Sequence, residues 1–327
     1  MTRSSAPGKV YLFGEHAVVY DEPAVLCAIE RRAQVEVEQR SDGKLRVHAE
    51  DLSLDGFTVE YGAAADDRPD VDVSESLVTA ATQYVDSAIE QVRDVTGDEV
   101  GFDVTIESDI PLGAGLGSSA AVAVAAIDAG TRALGTTLES DELADRAYRT
   151  EYEVQEGQAS RADTFCSATG GAVRVEGDDC RPTESPDVPI VIGFDGGAGD
   201  TGELVSGVRS LREEYDFAAD TVEAIGDVVR NGEEALVDDD LEEVGDLMNF
   251  NHGLLSALGV SSRSLDTMVW AARDAGALGA KLTGAGGGGC IVALDPTPEA
   301  ETALSFTPGC QEAFRAELAE TGVKRLE

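Results

Sequence analysis

Apolar positions come in short runs at the start of the chain: Val10 to Phe13, Ala24 to Ile29, then the alternation of Ala33, Val35 and Val37. Runs this short predict strands. Leu45 to Val47 and Phe57 to Tyr61 read as a further strand pair, and the acidic, proline-containing stretch from Ala63 to Asp72 as a loop. At Ser74 the period changes. Leu77, Ala80, Ala81, Tyr84, Ala88 and Val92 recur at helical spacing as far as Val95, and Gly97 stops the pattern. Phe102, Val104 and Ile106 alternate as a strand, a glycine-rich stretch follows, and Ser118 to Leu134 is an apolar helix. Asp141 to Gln155 predicts another helix and Ala172 to Val175 a short strand.

The stretch Glu176 to Pro189 is rich in Gly, Asp and Pro and reads as a domain boundary, dividing the chain into residues 1–182 and 183–327. The second part opens on a strand, Ile190 to Phe194. Helices are expected between Glu203 and Leu258 and from Ser264 to Ala275, a strand at Cys290 to Leu294, and a last helix near Gln311 to Glu320. Strands and helices alternate irregularly in both parts, which predicts two α+β domains rather than a regular doubly wound sheet.

Composition changes the picture through charge. Asp and Glu number 64 against 24 Lys and Arg, a net charge of −40 in 327 residues. A binder of nucleic acid needs a basic footprint, and an anionic membrane surface repels such a chain, so neither is an expected partner. Lysine occurs only at Lys9, Lys44, Lys281 and Lys324, the other basic residues being arginine. An acidic, lysine-poor surface resembles the proteins of salt-accumulating halophilic archaea, where molar salt screens self-repulsion within about 3 Å and high charge keeps the protein in solution. Calcium is an alternative reason for acidity, but the best cluster, Asp70, Asp72 and Ser74, has Glu75 where an EF-hand loop needs glycine. Asp238-Asp239-Asp240 with Glu242 and Glu243 reads as a solvated helix face. The five cysteines are odd in number and lack CxxC spacing, so neither a disulfide framework nor a zinc site is expected. Without a signal peptide or a long apolar stretch, a cytoplasmic location is expected.

The sharpest local feature runs from Pro111 through Gly113-Ala114-Gly115-Leu116-Gly117-Ser118-Ser119 to Ala120, between a strand and an apolar helix. Alternate glycines let backbone N–H groups converge on an anion, and the helix start adds its positive dipole end. This is a phosphate cradle, though the lysine of a Walker A loop is missing. A second loop, Thr283-Gly284-Ala285-Gly286-Gly287-Gly288-Gly289, contains GxGxxG but leads into a strand, which excludes a dinucleotide fingerprint. So many glycines imply that backbone approaches something closely.

Taken in order, Ala6-Pro7-Gly8-Lys9-Val10 running into Gly14-Glu15-His16-Ala17-Val18-Val19, then Pro111 to Ala120, then Lys281 to Cys290 resemble the three motifs of the GHMP kinase superfamily over essentially the whole chain. Gly14 to Tyr20 is most similar to the mevalonate kinase group within it. The resemblance implies a domain like domain 2 of ribosomal protein S5 followed by a ferredoxin-like domain, with ATP and substrate between them. It implies transfer of the γ-phosphoryl of ATP to the 5-hydroxyl of mevalonate in isoprenoid synthesis, with Mg²⁺ as cofactor. A homodimer is compatible with it. Phosphomevalonate kinase, diphosphomevalonate decarboxylase, homoserine kinase and galactokinase share the glycine loop and are the alternatives within the superfamily. A silent ligand sensor is the alternative outside enzymes.

By the same resemblance, Lys9 and Asp163, in Gly157 to Thr164, are the catalytic pair, Asp163 as base. Asp163 could also serve as a helix N-cap. Glu15, His16 and Thr201 fall on substrate-binding positions, with Glu15 equally suited to supporting its loop. Pro111, Gly113, Ala114, Gly115, Leu116, Gly117, Ser118 and Ser119 bind ATP, and Gly284, Ala285, Gly286 and Gly287 form the C-terminal glycine loop. Ser119 and Glu151 are the Mg²⁺ ligands, with Glu153 as the alternative glutamate. Arg161 lies close in sequence to this segment. Anionic substrates on so acidic a chain require a local exception, built from Lys9, Mg²⁺ and backbone N–H groups.

Overall fold

The computed structural model describes residues 1–49, 57–61, 75–111, 113–184, 187–197 and 199–326. The acidic loop and the Asp70, Asp72 and Ser74 cluster lie outside them.

The first part of the chain runs β1 (Thr2–Phe13), a 3-10 turn (Ala17–Tyr20), β2 (Ala24–Arg40), β3 (Leu45–Ala49), β4 (Phe57–Tyr61), α1 (Glu75–Thr96) and β5 (Gly101–Ser108). It continues with α2 (Ser118–Ala133), α3 (Ser140–Val154), α4 (Ala162–Thr169), β6 (Ala172–Glu176) and β7 (Asp179–Thr183). The apolar run from Ala24 and the alternating one from Ala33 are a single 17-residue strand, β2, which pairs antiparallel with β1, β5 and β6. It changes partners along its length, so one half is buried on both faces and the other on one. That explains the switch from continuous to alternating pattern. The helix α2 is apolar almost all round because it is sandwiched: it packs on β1 and β2, with α1 and α3 against its other sides.

The second part comprises β8 (Ile190–Phe194), α5 (Thr201–Glu214), α6 (Asp216–Val237), α7 (Leu241–Ala257), α8 (Arg263–Asp274), β9 (Gly279–Thr283), β10 (Cys290–Leu294), α9 (Glu299–Ser305), β11 (Glu312–Ala316) and β12 (Lys324–Leu326). Strands β11-β8-β10-β9 form a four-stranded sheet, with α8 and α9 packed on it and α7 against β9. The last strand, β12, leaves this part and pairs with β1 in the first sheet. Arg325 Nε fastens it to the buried Asp128 of α2 at 3.0 Å, and Ser4 Oγ donates to the same carboxylate at 2.6 Å.

Two expectations are corrected. The segment expected as a final helix is β11, paired antiparallel with β8. The sheet edge supplies partners from far along the chain, and that pairing overrides local spacing. Arg31 reinforces it, with its guanidinium 3.8 Å from the Phe314 ring centroid and on the Glu312 carboxylate. The Asp238-Asp239-Asp240 run is not a helix face but the turn between α6 and α7. Asp239 has φ +56°, and the Asp240 carboxylate accepts from Glu243 N at 3.1 Å as the N-cap of α7. Among the described residues, no helix is long and apolar enough to cross a bilayer.

Candidate active site

A cleft of about 730 Å³ is lined by β1, the loop before α2, α3, the start of α4, the start of α5 and the β9–β10 turn. Lysine 9 reaches it from β1. Its side chain is 2% exposed, and its ammonium lies 3.0 Å from Asp163 Oδ2 and donates to Gly115 O at 2.9 Å. Asp163 sits in the first turn of α4, where Arg161 occupies the cap position. Its two oxygens are not spent on backbone capping: Oδ2 faces Lys9, and Oδ1 accepts from the Tyr11 hydroxyl at 2.9 Å.

The first glycine loop lies on β1. Gly113, Gly115 and Gly117 all have positive φ, and Gly117, at φ +75°, precedes α2 without a side-chain cap. A Cβ there would stand 2.9 Å from Lys9 Cγ, so glycine is required both for the turn and for the lysine's path. The first N–H groups of α2 have no intrahelical acceptor by helix geometry and point into the cleft end. Ser119 Oγ donates to Glu151 Oε1 at 2.6 Å across from α3. Glu151 is buried, and burial together with the nearby Asp163 charge pushes its carboxyl up to about 7. Glu153 points elsewhere, accepting from Ser87 Oγ at 2.8 Å. Pro111, Gly113, Ala114, Gly115, Leu116, Gly117 and Ser118 also line the cleft.

On the other side, Glu15 and His16 follow Gly14. His16 has φ +61°, unusual for a residue with a side chain. Its Nε2 lies 2.8 Å from Ala285 O and so carries the proton, which leaves the buried Nδ1 an unpartnered acceptor. Burial lowers its pKa, so the ring is neutral. The Glu15 carboxylate is paired with the Lys281 ammonium, both nearly inaccessible, while Glu15 Oε2 has no partner. Burial raises Glu15 and lowers Lys281, and their mutual attraction opposes both shifts. Thr201 is the first residue of α5, at the cleft rim, with Asp200 capping the helix through Glu203 N.

The second glycine loop meets the first backbone to backbone. A Cβ on Gly284 would stand 2.8 Å from Gly115 Cα, and one on Gly289 2.9 Å from Ala114 O. Gly284, Ala285 and Gly286 line the cleft; Gly287 does not, its N–H donating to Val260 O at 2.8 Å. Asp195, at the end of β8, accepts from Gly289 N and Gly197 N, each at 2.8 Å, and anchors the loop. Arg161 turns away from the cleft, paired with Asp145 and Asp178 and lying 4.4 Å from the Tyr148 ring centroid.

Sequence reading missed Tyr11, Asp195 and the Glu15–Lys281 pair. Tyr11 was within reach, since positions two apart on a strand share a face with Lys9. The other two depend on long-range pairing and left no local mark.

The family description "GHMP kinases N terminal domain" matches residues 83–171, and "GHMP kinases C terminal" matches residues 233–306. The mevalonate kinases of Thermococcus gammatolerans and Pyrococcus furiosus are 42% and 41% identical to this chain, each comparison covering 98% of this chain and 97% of the relative. The crystal structure of the Methanococcus jannaschii mevalonate kinase superposes with a TM-score of 0.80 at 28% identity, covering 97% of this chain and 98% of that one.

Proposed function

The chain belongs to the mevalonate kinases within the GHMP kinases, and from that premise we propose that it transfers the γ-phosphoryl group of ATP to the 5-hydroxyl of mevalonate, giving 5-phosphomevalonate and ADP. We read it as a cytoplasmic, Mg²⁺-dependent step of isoprenoid synthesis in a salt-accumulating cell. The observation that carries the reading is the Lys9–Asp163 pair, held 3.0 Å apart beside the open N-terminus of α2.

Asp163 takes the proton of the substrate hydroxyl as the oxygen attacks. Lys9 stands between this base and Gly115 of the phosphate loop, so one ammonium stabilises both the developing alkoxide and the charge on the transferring phosphoryl group. The loop and the first-turn N–H groups of α2 hold the phosphates of ATP. Glu15 Oε2 and His16 Nδ1, buried acceptors without partners, suit the hydroxyl groups of mevalonate, with Thr201 at the rim.

The donor chemistry near Ser119 fits Mg²⁺. A hydroxyl and a buried carboxylate are hard oxygen donors, and they already lie together. Among the described residues no cluster of three or more His, Cys, Asp or Glu would cage an ion alone. Mg²⁺ tolerates that, since it keeps waters and takes substrate phosphates as its other ligands. When bound, the ion neutralises phosphate charge. Ser119 and Glu151 would hold it, and Glu153 faces elsewhere.

The test is a coupled ADP-release assay in molar KCl with mevalonate, phosphomevalonate, homoserine and galactose. Turnover is expected with mevalonate and is expected to fall in dilute buffer, where the −40 charge is unscreened. No turnover with mevalonate would sink the reading. Full activity in dilute buffer would detach the acidity from salt adaptation and leave the kinase assignment standing.

A further inference from the structure

We propose that Tyr11 is a positioning residue for phosphoryl transfer: its phenol holds one oxygen of Asp163 so that the other is presented, beside Lys9, to the substrate hydroxyl. The proposal rests on the reading of Asp163 as the base.

Tyr11 and Lys9 stand two apart on β1 and share a face. The Tyr11 hydroxyl donates to Asp163 Oδ1 at 2.9 Å, while Oδ2 lies 3.0 Å from Lys9 Nζ. The same ammonium lies 4.5 Å from the Tyr11 ring centroid. The Tyr11 backbone N–H donates to Thr283 Oγ1 at 2.9 Å, which ties the residue to the second glycine loop. The phenol is therefore fixed by its ring, its hydroxyl and its backbone, and it lines the cleft.

The terminal torsion of an aspartate is broad, and its two oxygens are equivalent, so one partner alone leaves the plane of the carboxylate loosely set. Lys9 alone can donate to a carboxylate oxygen over a range of such planes. With Tyr11 on Oδ1, the plane of the carboxylate is set and Oδ2 stays at the lysine. There a substrate oxygen meets the proton acceptor and the cation that stabilises it at one point. Burial and the Asp163 charge push the phenol well above its ordinary pKa, so it remains a protonated donor throughout the working range.

Tyr11→Phe removes the hydroxyl alone. It keeps the buried ring under Lys9 and the backbone bond to Thr283, so the fold is expected to be retained, with an unchanged Tm as the control. The expected result is a fall in kcat of about tenfold, with KM for ATP and for mevalonate within about twofold of the parent. In the Asp163→Asn background, where the base is gone, adding Tyr11→Phe should change single-turnover rates by less than about twofold. An unchanged kcat in Tyr11→Phe would overturn the proposal, as would a loss carried in KM for mevalonate or an equal loss in both backgrounds. If Asp163→Asn turns over like the parent, the base reading falls and this proposal with it. If Asp163→Asn is inactive and Tyr11→Phe is indifferent, only the proposal falls. Where the residual rate of Asp163→Asn lies below detection, the kcat and KM split of Tyr11→Phe decides alone.

Discussion

The two glycine loops resemble each other as text and differ as objects. Residues 113–117 run from strand to helix, their glycines have positive φ, and the helix they lead into starts without a side-chain cap. Residues 284–289 run from strand to strand, and two of their N–H groups are taken by the protein itself: Gly287 donates to Val260 O and Gly289 to Asp195. Glycines of both loops admit close neighbours, Lys9 at Gly117 and the first loop and Val260 at the second, but only the first loop leads into an uncapped helix start, where we propose that an anion binds. Glycine content alone therefore says that something comes close; the element that follows says what. A helix start leaves unpaired donors and a positive end, whereas a strand consumes its donors in the ladder.

This contrast predicts that damage to the second loop's surroundings appears as lost stability, and damage to the first as lost turnover. The largest effect is expected from Lys281→Met, at the base of the second loop. It leaves the Glu15 carboxylate buried without its cation, which should destabilise the fold by about 3–5 kcal/mol, read as a lower urea midpoint in molar KCl. Next comes Gly117→Ala in the first loop. The positive φ is strained by about 1–2 kcal/mol, but the new methyl presses on Lys9, so turnover should fall about a hundredfold. A Gly117→Ala variant that loses Tm and keeps kcat would erase the distinction between the loops.

The smallest effect concerns the end of the first loop. With the Glu151 carboxyl pushed up to about 7 by burial and Asp163, a cation must displace its proton at lower pH. Apparent Mg²⁺ affinity, measured by calorimetry with a non-hydrolysable ATP analogue, should rise up to about tenfold per pH unit below this value and level off above it. The metal-free protein has the opposite slope. A raised carboxyl pKa stabilises fully below the unfolded value near 4.5, and that contribution is lost as pH rises through about 7. Glu151→Gln should flatten both dependences; a persistent slope would assign the titration to another group.

Much of the site was legible beforehand because it is built from contiguous motifs. Lys9 stands in a short strand segment, Gly113 to Ser119 in one loop, and Asp163 and Glu151 on neighbouring helices. The loop is read from its residue types and the helix that follows, while the roles proposed for Lys9, Asp163 and Glu151 came from the resemblance of their motifs. Choosing Glu151 over Glu153 was harder, since both sit on α3 and only packing shows which one reaches Ser119. Arg161 shows the limit of proximity in sequence: it lies beside the Asp163 segment, yet Asp145, Asp178 and Tyr148 hold it out of the cleft.

The sequence by itself determined most strand and helix periods, the glycine-rich strand-to-helix loop and the acidic composition, because each is written in local spacing or composition; the proposed catalytic pair came from the resemblance of its motifs. Only the tertiary structure decided that residues 312–316 form a strand, that the last strand returns to the first sheet, that Lys281 neutralises Glu15 and that Tyr11 holds the second oxygen of Asp163. Those features join residues far apart in the chain. Their energy comes from pairing and burial that exist only once both partners have been brought together, and nothing in the spacing of either partner records it.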